Sequence, residues 1–457
     1  MDATNATPRF ATEARATAVL AAPLVAGHLA TGLIGFVDAA IAGHHGTETL
    51  AAVAVGAALY ALPMMVPMGT LMALPPAISQ LDGGGRRAEI GPLFRQGLWL
   101  ALALGIAMFL VMTLAGHALE PMGIAPDVRP GARDFLHGIR WGAPALTLYL
   151  AMRYLSDGLH WSLPTMVFGF GGLAVLVPLG YMLTFGYDGP AGIRIPEMGA
   201  GGLGAASAVM LWGQALAFAV YLARSKRFAP LALFSHFEGP KRAPIVALLR
   251  NGLPIGVTVA MEGGLFIVTA LLIGRLGALP VAAHQIAINV SALCFMIPFG
   301  LAEATTVRVG HARGRGSLDG VRRAAMAGYA LALATQACSA LLLLAGNDLL
   351  VSLYTRDAAA ASLAASLLLY AAAFQFPDGI QVVSAGALRG LGDTRVPMFL
   401  AALAYWGVGM PLGAGLGLGL GWGPQGMWIG LIAGLGVAAV LLGGRFLRAT
   451  AADRKQW

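Results

Sequence analysis

The sequence predicts an all-α polytopic membrane protein whose twelve transmembrane helices form two six-helix bundles. Two observations lead to this fold class: the composition, and an internal repeat that relates the two halves of the chain. Of the 457 residues, 58% are hydrophobic and only 11% are charged, whereas soluble domains carry about 25% charged residues. Because lipid offers no partner for free backbone groups, long apolar runs cross a membrane as helices.

Twelve apolar runs in the sequence are long enough to cross a bilayer, which takes about 20 residues. Charged segments or segments rich in Gly and Pro separate them. The predicted spans cover residues 17–42, 50–80, 94–117, 133–155, 163–187, 200–223, 245–274, 281–307, 321–345, 359–388, 396–420 and 424–447.

The second half of the chain repeats the glycine and proline pattern of the first half. At an offset of 231, residues 43–85 align with residues 274–316 without a gap, and Pro67 meets Pro298 in mid-span. This offset covers six spans, an even number, so both halves have the same orientation across the membrane. Parallel repeats of this kind are a transporter architecture, in which the substrate path lies between the halves.

The repeat and the distribution of basic residues predict the domain organisation and the topology. If both ends of the chain lie on one side, that side holds 23 of the 29 Lys and Arg residues, so the positive-inside rule makes both termini cytoplasmic. The net charge of +8 therefore reports membrane topology rather than a nucleic-acid partner. The predicted parts are a tail at 1–16, a six-helix lobe at 17–223, a basic linker at 224–244, a second six-helix lobe at 245–448 and a tail at 449–457.

Four acidic residues lie inside predicted spans: Asp38, Glu262, Glu303 and Asp378. A charge at the bilayer centre costs at least about 2.5–3.5 kcal/mol, so such a residue faces a cavity, is paired or is protonated. Asp378 and Glu262 lie near the middle of spans in the second lobe, and we expect them to line one cavity. A negative site shared by two competing cations is the chemistry of an antiporter. The alternative is a structural carboxyl that is hydrogen-bonded between helices.

Polar and aromatic side chains on these spans, together with the acid Glu303, are candidates for a substrate path or a gate. Gln381 lies one helical turn after Asp378, and Thr258 lies four residues before Glu262, each on the same helical face as its acid. Gln285 and Asn289, the amides in VAAHQIAINVSAL, could instead form hydrogen bonds between helices. The alternative role of Glu303 is to form an ion pair. The path or gate candidates are Gln381, Gln285, Asn289, Glu303, Thr258 and Phe374.

The sequence contains no motif that indicates catalysis or a cofactor. There is no P-loop, so ATP is not the expected energy source. Metal-ligand helix patterns and serine nucleophile turns are also missing. We therefore expect a secondary transporter rather than an enzyme, active as a monomer in the lipid bilayer, with small organic cations as partners and without nucleotide or nucleic acid.

Several stretches closely resemble the multidrug and toxic-compound extrusion (MATE) family, in its NorM-like branch. They are DGLHWSLPTMVFGFGGL, IPEMGAGGLGAASAVMLW, AAHQIAINVSALCFMIPFGLAEATTVRVGHARGRG and PDGIQVVSAGALRGLGDTRVPM, and the resemblance extends over about residues 17–448. It implies two six-helix lobes around a V-shaped cleft and export of cationic or amphipathic drugs driven by entry of Na⁺ or H⁺. It also implies that Asp378 and Glu262 form the second-lobe cation site, a potential Na⁺ site, and that Asp38 is the first-lobe aspartate.

The chain departs from the family pattern at two places. Phe374 stands where many relatives have a tyrosine that helps the cation site, and Leu176 and Gly180 stand where relatives often carry asparagine or aspartate. The loss of a hydroxyl near Asp378 favours protons over sodium. The alternative function is a lipid-linked or polysaccharide flippase, which predicts a basic central cleft; Arg140 is the one mid-span cation expected from the sequence.

Overall fold

The structure is a computed structural model that describes residues 10–188 and 194–451. The helices of the first half are α1 (Phe10–His45), α2 (Thr47–Leu71), α3 (Leu74–Gly83), α4 (Ile90–Ala118), α5 (Arg129–Ile139), α6 (Ala143–Gly158), α7 (Leu163–Phe185) and α8 (Gly199–Arg224). Those of the second half are α9 (Arg242–Gly274), α10 (Ala278–Gly314), α11 (Leu318–Ala345), α12 (Asn347–Ser352), α13 (Ala358–Gly390), α14 (Arg395–Ala402), α15 (Met410–Ala414) and α16 (Gly423–Ala451). The outer parts of the predicted tails, residues 1–9 and 452–457, lie outside the described residues.

Eleven helical segments in the described part of the chain are long and apolar enough to cross a membrane. They overlap eleven of the twelve predicted spans, and the all-α polytopic fold is confirmed. Several helices run past the predicted ends because charged residues are paired there, as Glu13 of α1 is with Arg308 of α10. The remaining span, predicted at 133–155, is formed by α5 and α6, which a short 3₁₀ turn at Arg140–Gly142 separates.

The loop after α7 contains one element that the apolar pattern does not predict. Tyr187–Asp188 and Arg194–Ile195 pair as a two-stranded antiparallel ribbon, with Tyr187 opposite Ile195. The ribbon is short and largely exposed, so it adds little to the helical core.

The described chain divides into two compact units, which we call the N-terminal and the C-terminal unit. The N-terminal unit contains Ala26–Ile78 and Arg86–Gly256, and the C-terminal unit contains the chain up to Val25, Ser79–Gly85 and the chain from Val257 onward. The C-terminal unit thus includes two segments from the first half of the sequence. The domain boundaries predicted in loops stay a prediction.

The chain passes between the units four times, three times inside a helix close to a proline and once in the turn that follows α3. Three of the four crossings come two residues after a proline, and the fourth follows the glycine-rich end of α3. Such prolines remove a backbone hydrogen bond and are common places for a helix to bend. The three prolines are Pro23 in α1, Pro76 in α3 and Pro254 in α9.

Each unit has its own apolar core. In the C-terminal unit the core lies between α10, α11, α13 and α16 and includes the fully buried side chains of Tyr405 and Trp428. A second cluster there packs Leu20 and Leu24 of α1 against α10. In the N-terminal unit, Phe135 of α5 is buried among residues of α1, α2, α4 and α8.

Glycines form a close backbone seam between the segment 403–419 and α16. Gly409 faces Gly434, Gly413 faces Gly430, and Gly417 faces Gly426. The segment contains two stretches of wide π-helical turns, Leu403–Gly409 and Gly415–Gly419, flanking α15. Small residues let helix backbones approach closely in a membrane, and this seam fixes the position of Tyr405 in the functional site described below.

Substitution of Gly430 by alanine is expected to destabilise the protein, because the added Cβ would overlap the backbone of Gly413. Gly436→Ala, two turns later in α16, is the matched control, since its Cβ meets open space. Removal of glycine from a helix interior stabilises it by about 0.5–1 kcal/mol where there is room. Thermal unfolding in detergent should show a lower midpoint for Gly430→Ala and an equal or higher one for Gly436→Ala. Equal midpoints for the two variants would contradict a tight seam.

Candidate functional site

Gln381 connects the two central acids of the C-terminal unit. Its side-chain amide nitrogen donates to Glu262 Oε1 at 2.8 Å and, more weakly, to Asp378 Oδ1 at 3.4 Å. Asp378 and Gln381 lie one turn apart on α13, each only 2% exposed, whereas Glu262 comes from α9 and is half-buried. The structure therefore brings together three of the predicted site residues around a single amide.

Tyr405 completes this group and was not predicted from the sequence. Its hydroxyl donates to Gln381 Oε1 at 2.9 Å, and the side chain is fully buried. Tyr405 lies in the first π-helical stretch, Leu403–Gly409. π-helical turns often occur at functional sites, and a hydroxyl in the middle of an apolar span was the available signal. The π-helical turns rotate Tyr405 toward Gln381, and this change of helical phase cannot be recognised in the sequence.

A second layer of amides supports α13 beside the acids. Gln336 of α11 donates from Nε2 to the Gln375 carbonyl oxygen at 2.9 Å and to Gln375 Oε1 at 3.1 Å. Both glutamines are fully buried. A Cβ at Gly379 would clash with the Gln336 side chain, so α11 and α13 pack closely directly behind Asp378.

Aromatic rings form the wall next to the acids. Phe374, one turn before Asp378, is 2% exposed and makes edge contacts with Phe266 of α9 and Trp428 of α16. Its ring is part of the packed core in this structure. Thr258, the candidate on α9, is half-buried one turn before Glu262.

The chemistry of this centre follows from its donors and acceptors. Two carboxyl groups offer acceptor oxygens, and one amide and one phenol orient them. Like charges that share a buried site repel each other, so the pair is most stable when a proton or a cation neutralises one of them. The centre can therefore hold a proton, a small monovalent cation or an organic cation, one at the expense of another.

The remaining predicted residues lie apart from this centre. Asp38 of α1 belongs to the N-terminal unit and is 8% exposed; its buried Oδ1 has no hydrogen-bond partner among the described residues. Gln285 and Asn289 are exposed on α10 and hydrogen-bond to each other at 3.0 Å. Glu303, near the other end of α10, is 9% exposed.

A buried ion pair in the N-terminal unit was missed by the sequence reasoning. Arg153 Nε donates to Asp157 Oδ2 at 3.2 Å, one turn apart on α6, and Thr165 of α7 donates to Asp157 Oδ1 at 2.7 Å. Both charged residues are at most 6% exposed. The predicted span ended at residue 155, so Asp157 was placed in a loop. The expectation that Arg140 is the one mid-span cation is also wrong, because Arg153 is buried inside α6.

Replacement of Tyr405 by phenylalanine is expected to destabilise the centre, because Gln381 Oε1 would lose its donor in a buried position. A buried acceptor without a partner costs about 1–3 kcal/mol. The midpoint of thermal unfolding in detergent should fall for Tyr405→Phe. The half-buried Tyr370 on α13 provides the control variant, Tyr370→Phe, which should unfold like the wild type. An unchanged midpoint for Tyr405→Phe would argue against the bond to Gln381.

Comparison with known proteins places this geometry in a family. The MatE family model matches residues 23–182 and 254–414. The chain is 68% identical over 442 residues to the probable multidrug resistance protein NorM of Xanthomonas campestris pv. campestris, which covers 97% of this chain and 95% of the relative. It is 41% identical over 440 residues to the multidrug resistance protein PmpM of Pseudomonas aeruginosa, with 95% and 91% coverage.

A solved structure shares the fold over nearly the whole chain. The outward-facing conformation of a multidrug resistance MATE family transporter superposes with a TM-score of 0.87 at 18% identity and covers 97% of each chain. The resemblance predicted from the sequence is thereby confirmed. On the evidence of the family model and of relatives that are similar along their full length, the chain belongs to the MatE family of membrane transporters.

Proposed function

We propose that this protein is a secondary active multidrug efflux antiporter that exports cationic or amphipathic organic compounds in exchange for H⁺ or Na⁺ by alternating access. The observation that carries the proposal is the shared amide of Gln381 between the carboxyl groups of Glu262 and Asp378. One negative centre that a proton, a metal cation and a drug cation can each neutralise gives the competition that exchange needs. The names of the relatives NorM and PmpM support multidrug export.

The Gln381 amide provides a way for the site to respond to a proton. With the carboxyl groups accepting, the amide nitrogen faces the acids and its oxygen accepts from Tyr405. A protonated carboxyl becomes a donor, and the amide then fits better with its oxygen toward the acid and its nitrogen toward the tyrosine. Protonation is thus linked to a change in the contacts between α13, α9 and the segment 403–419.

Between the two coupling ions, we favour the proton. A sodium ion prefers oxygen ligands, whereas Tyr405 orients Gln381 so that its N–H groups face both carboxyl groups. Phe374 offers no oxygen one turn before Asp378. In the N-terminal unit, a side chain at Gly180 would meet Ile41 and Leu203, so its surroundings are apolar. These features favour a coupling site centred on Glu262 and Asp378, with Asp38 assisting.

An ion pair between α1 and α10 and a hydrogen bond between α3 and α13 are suited to close one side of the transport path. Arg308 makes a bidentate contact with Glu13, at 2.8 and 2.7 Å, in a partly buried position. Gln80 Nε2 donates to the Gly390 carbonyl oxygen at 2.8 Å. Glu13 and Gln80 come from the first half of the sequence but pack within the C-terminal unit. We call these contacts the cytoplasmic seal and propose that they break when the transporter opens inward.

The topology and the cellular setting complete the proposal. The protein is multi-pass in the bacterial inner membrane, with both termini cytoplasmic and with lobes at 17–223 and 245–448. It acts as a monomer without a cofactor, and its partners are small organic cations, amphipathic drugs and the bilayer. The flippase alternative needs free cations in the path; the buried Arg153 is neutralised by Asp157, which speaks against it.

Asp378→Asn is expected to abolish ion-driven drug export, because an amide can neither release a proton nor attract a cation. The assay is ethidium transport in proteoliposomes under an imposed proton or sodium gradient. We expect wild-type transport with the proton gradient and a loss of at least about tenfold in the variant, the change that about 1.4 kcal/mol produces.

The control for this experiment is Asp348→Asn, which removes an exposed acid outside the site. It should transport like the wild type. Gradient-driven transport by Asp378→Asn at the wild-type rate would contradict the assignment of Asp378 to the coupling site. Failure of the wild type to move any organic cation under either gradient would favour the flippase, and transport with sodium alone would reverse our choice of ion.

Glu13→Gln is expected to open the cytoplasmic seal, because Arg308 loses its charged partner. The reporter is Thr17→Cys, one turn later on α1 and fully buried, in a background with Cys294→Ser and Cys338→Ser. A hydrogen bond to a charged group is worth about 1.5–3 kcal/mol, so labelling by a membrane-impermeant maleimide should become about tenfold faster.

Two further variants test whether the charge pair itself is responsible. The exchange Glu13→Arg with Arg308→Glu should restore slow labelling, since it recreates the pair in reverse. Glu48→Gln removes an exposed acid at the start of α2 and should leave the labelling rate unchanged. Equal labelling rates in the wild type and Glu13→Gln would rule out a sealing role.

A further inference from the structure

The N-terminal unit contains a cavity of about 400 Å³ between α4, α6 and the linker that precedes α9. Four of its lining residues lie on one face of α4 at helical spacing: Arg95, Leu98, Trp99 and Leu102. Leu148 of α6 forms the opposite wall. Leu102 is seven residues beyond Arg95, so the cavity extends about 10 Å along the helix from its basic end.

The linker is held over this cavity by a defined set of contacts. Arg95 donates from Nε to Glu238 Oε2 at 2.8 Å and from Nη1 to the Ala232 carbonyl oxygen at 3.0 Å. The Trp99 indole donates to the Glu238 carbonyl oxygen at 2.8 Å. Gln96 bonds to the linker at both of its amide atoms. The linker is therefore bound over the cavity rather than loosely connected, and we call its residues 232–241 the roof.

The mouth of the cavity is positive. Glu238 accepts from both Arg95 and Lys241, and hydrogen bonds from Lys241 and Arg95 lower the pKa of its carboxyl, so it is ionised at neutral pH. Two cations against one anion leave a surplus of one positive charge. Over residues 224–242 as a whole, five basic residues face a single acid. His236 also lines the mouth and contacts Arg95 at 3.2 Å.

The roof also exposes aromatic side chains at this boundary. Phe237 is 86% exposed and makes an edge contact with Trp99, and Phe234 is 45% exposed beside it. Trp99 is of the residue type that is enriched where a membrane protein meets the headgroup region, and the two exposed phenylalanines extend its apolar surface. The cavity is apolar inside and has a positive mouth lined by aromatic side chains. This arrangement matches a phospholipid, whose acyl chain would lie in the cavity and whose anionic headgroup would lie at the mouth.

We propose that this cavity binds an anionic phospholipid, with an acyl chain along Leu98, Leu102 and Leu148 and the headgroup at the mouth, where Arg95 and His236 line the cavity and Lys241 pairs with Glu238. Anionic headgroups are attracted to basic segments at a membrane surface. The bound lipid would hold the linker to α4 and α6, independently of which drugs or ions the protein transports.

The test is native mass spectrometry of the purified full chain with added phosphatidylglycerol or phosphatidylcholine. The wild type should retain phosphatidylglycerol at least about fivefold better than phosphatidylcholine, as expected for one additional basic contact. Leu102→Trp fills the cavity and should lose that retention. Leu148→Trp fills it from the opposite wall, so the result does not rest on one variant's folding.

Matched controls separate the cavity from the general membrane surface. Leu114→Trp changes a leucine on the same helix that is 69% exposed and does not line the cavity, and it should retain lipid like the wild type. Lys241→Gln should lower the phosphatidylglycerol preference by about fivefold, and Lys226→Gln by less than about twofold. Unchanged retention in both tryptophan variants of the cavity, or equal retention of the two lipids by the wild type, would overturn the proposal.

Discussion

The hydrogen bonds of Gln381 are the interaction on which the polar centre of the C-terminal unit depends. One amide satisfies acceptors on α9 and α13 and is itself oriented from the segment 403–419. In a bilayer no water is available to replace a missing hydrogen-bond partner. All three membrane-spanning segments must therefore be positioned so that each can hydrogen-bond to the side chain of Gln381. Two features hold these segments in place. One is the glycine seam between the segment 403–419 and α16, and the other is the hydrogen bond between Gln336 and Gln375 behind α13.

Much of the fold and part of the site could be predicted from the sequence. Long apolar runs located the helices, and the cost of a buried charge singled out Glu262 and Asp378. Periodicity assumes 3.6 residues per turn, so it could not place Tyr405, whose π-helical turns change the phase. The pair of Arg153 and Asp157 was missed because the predicted span ends at residue 155, whereas α6 continues to Gly158 and so carries Asp157 one turn after Arg153. Partners on different helices are set by packing, which no local pattern encodes.

The two halves of the sequence and the two compact units do not coincide. The start of α1 and the end of α3 pack with the second half, and at three of the four crossings the chain changes unit within a helix rather than in a loop. A proline two residues before a crossing weakens the helix at that position. Two of the three bending positions, Pro23 on α1 and Pro76 on α3, therefore lie on helices that also carry a residue of the cytoplasmic seal, so a contact at the helix end can act directly on the bend.

The docked linker also changes how the two units are joined. The sequence suggests that the linker is a flexible connection between the two halves. In the structure it is bound to α4 by the contact of Arg95 with Glu238, and residues 242–256 of α9 still belong to the N-terminal unit. A protease that cuts the exposed backbone at Gly239–Pro240 would therefore leave that stretch of α9 held in place, and the nicked halves would stay together as one particle. The flexible-looking segment is therefore a fixed part of the N-terminal unit, and the last of the four chain crossings between the units lies inside α9, directly after Gly256.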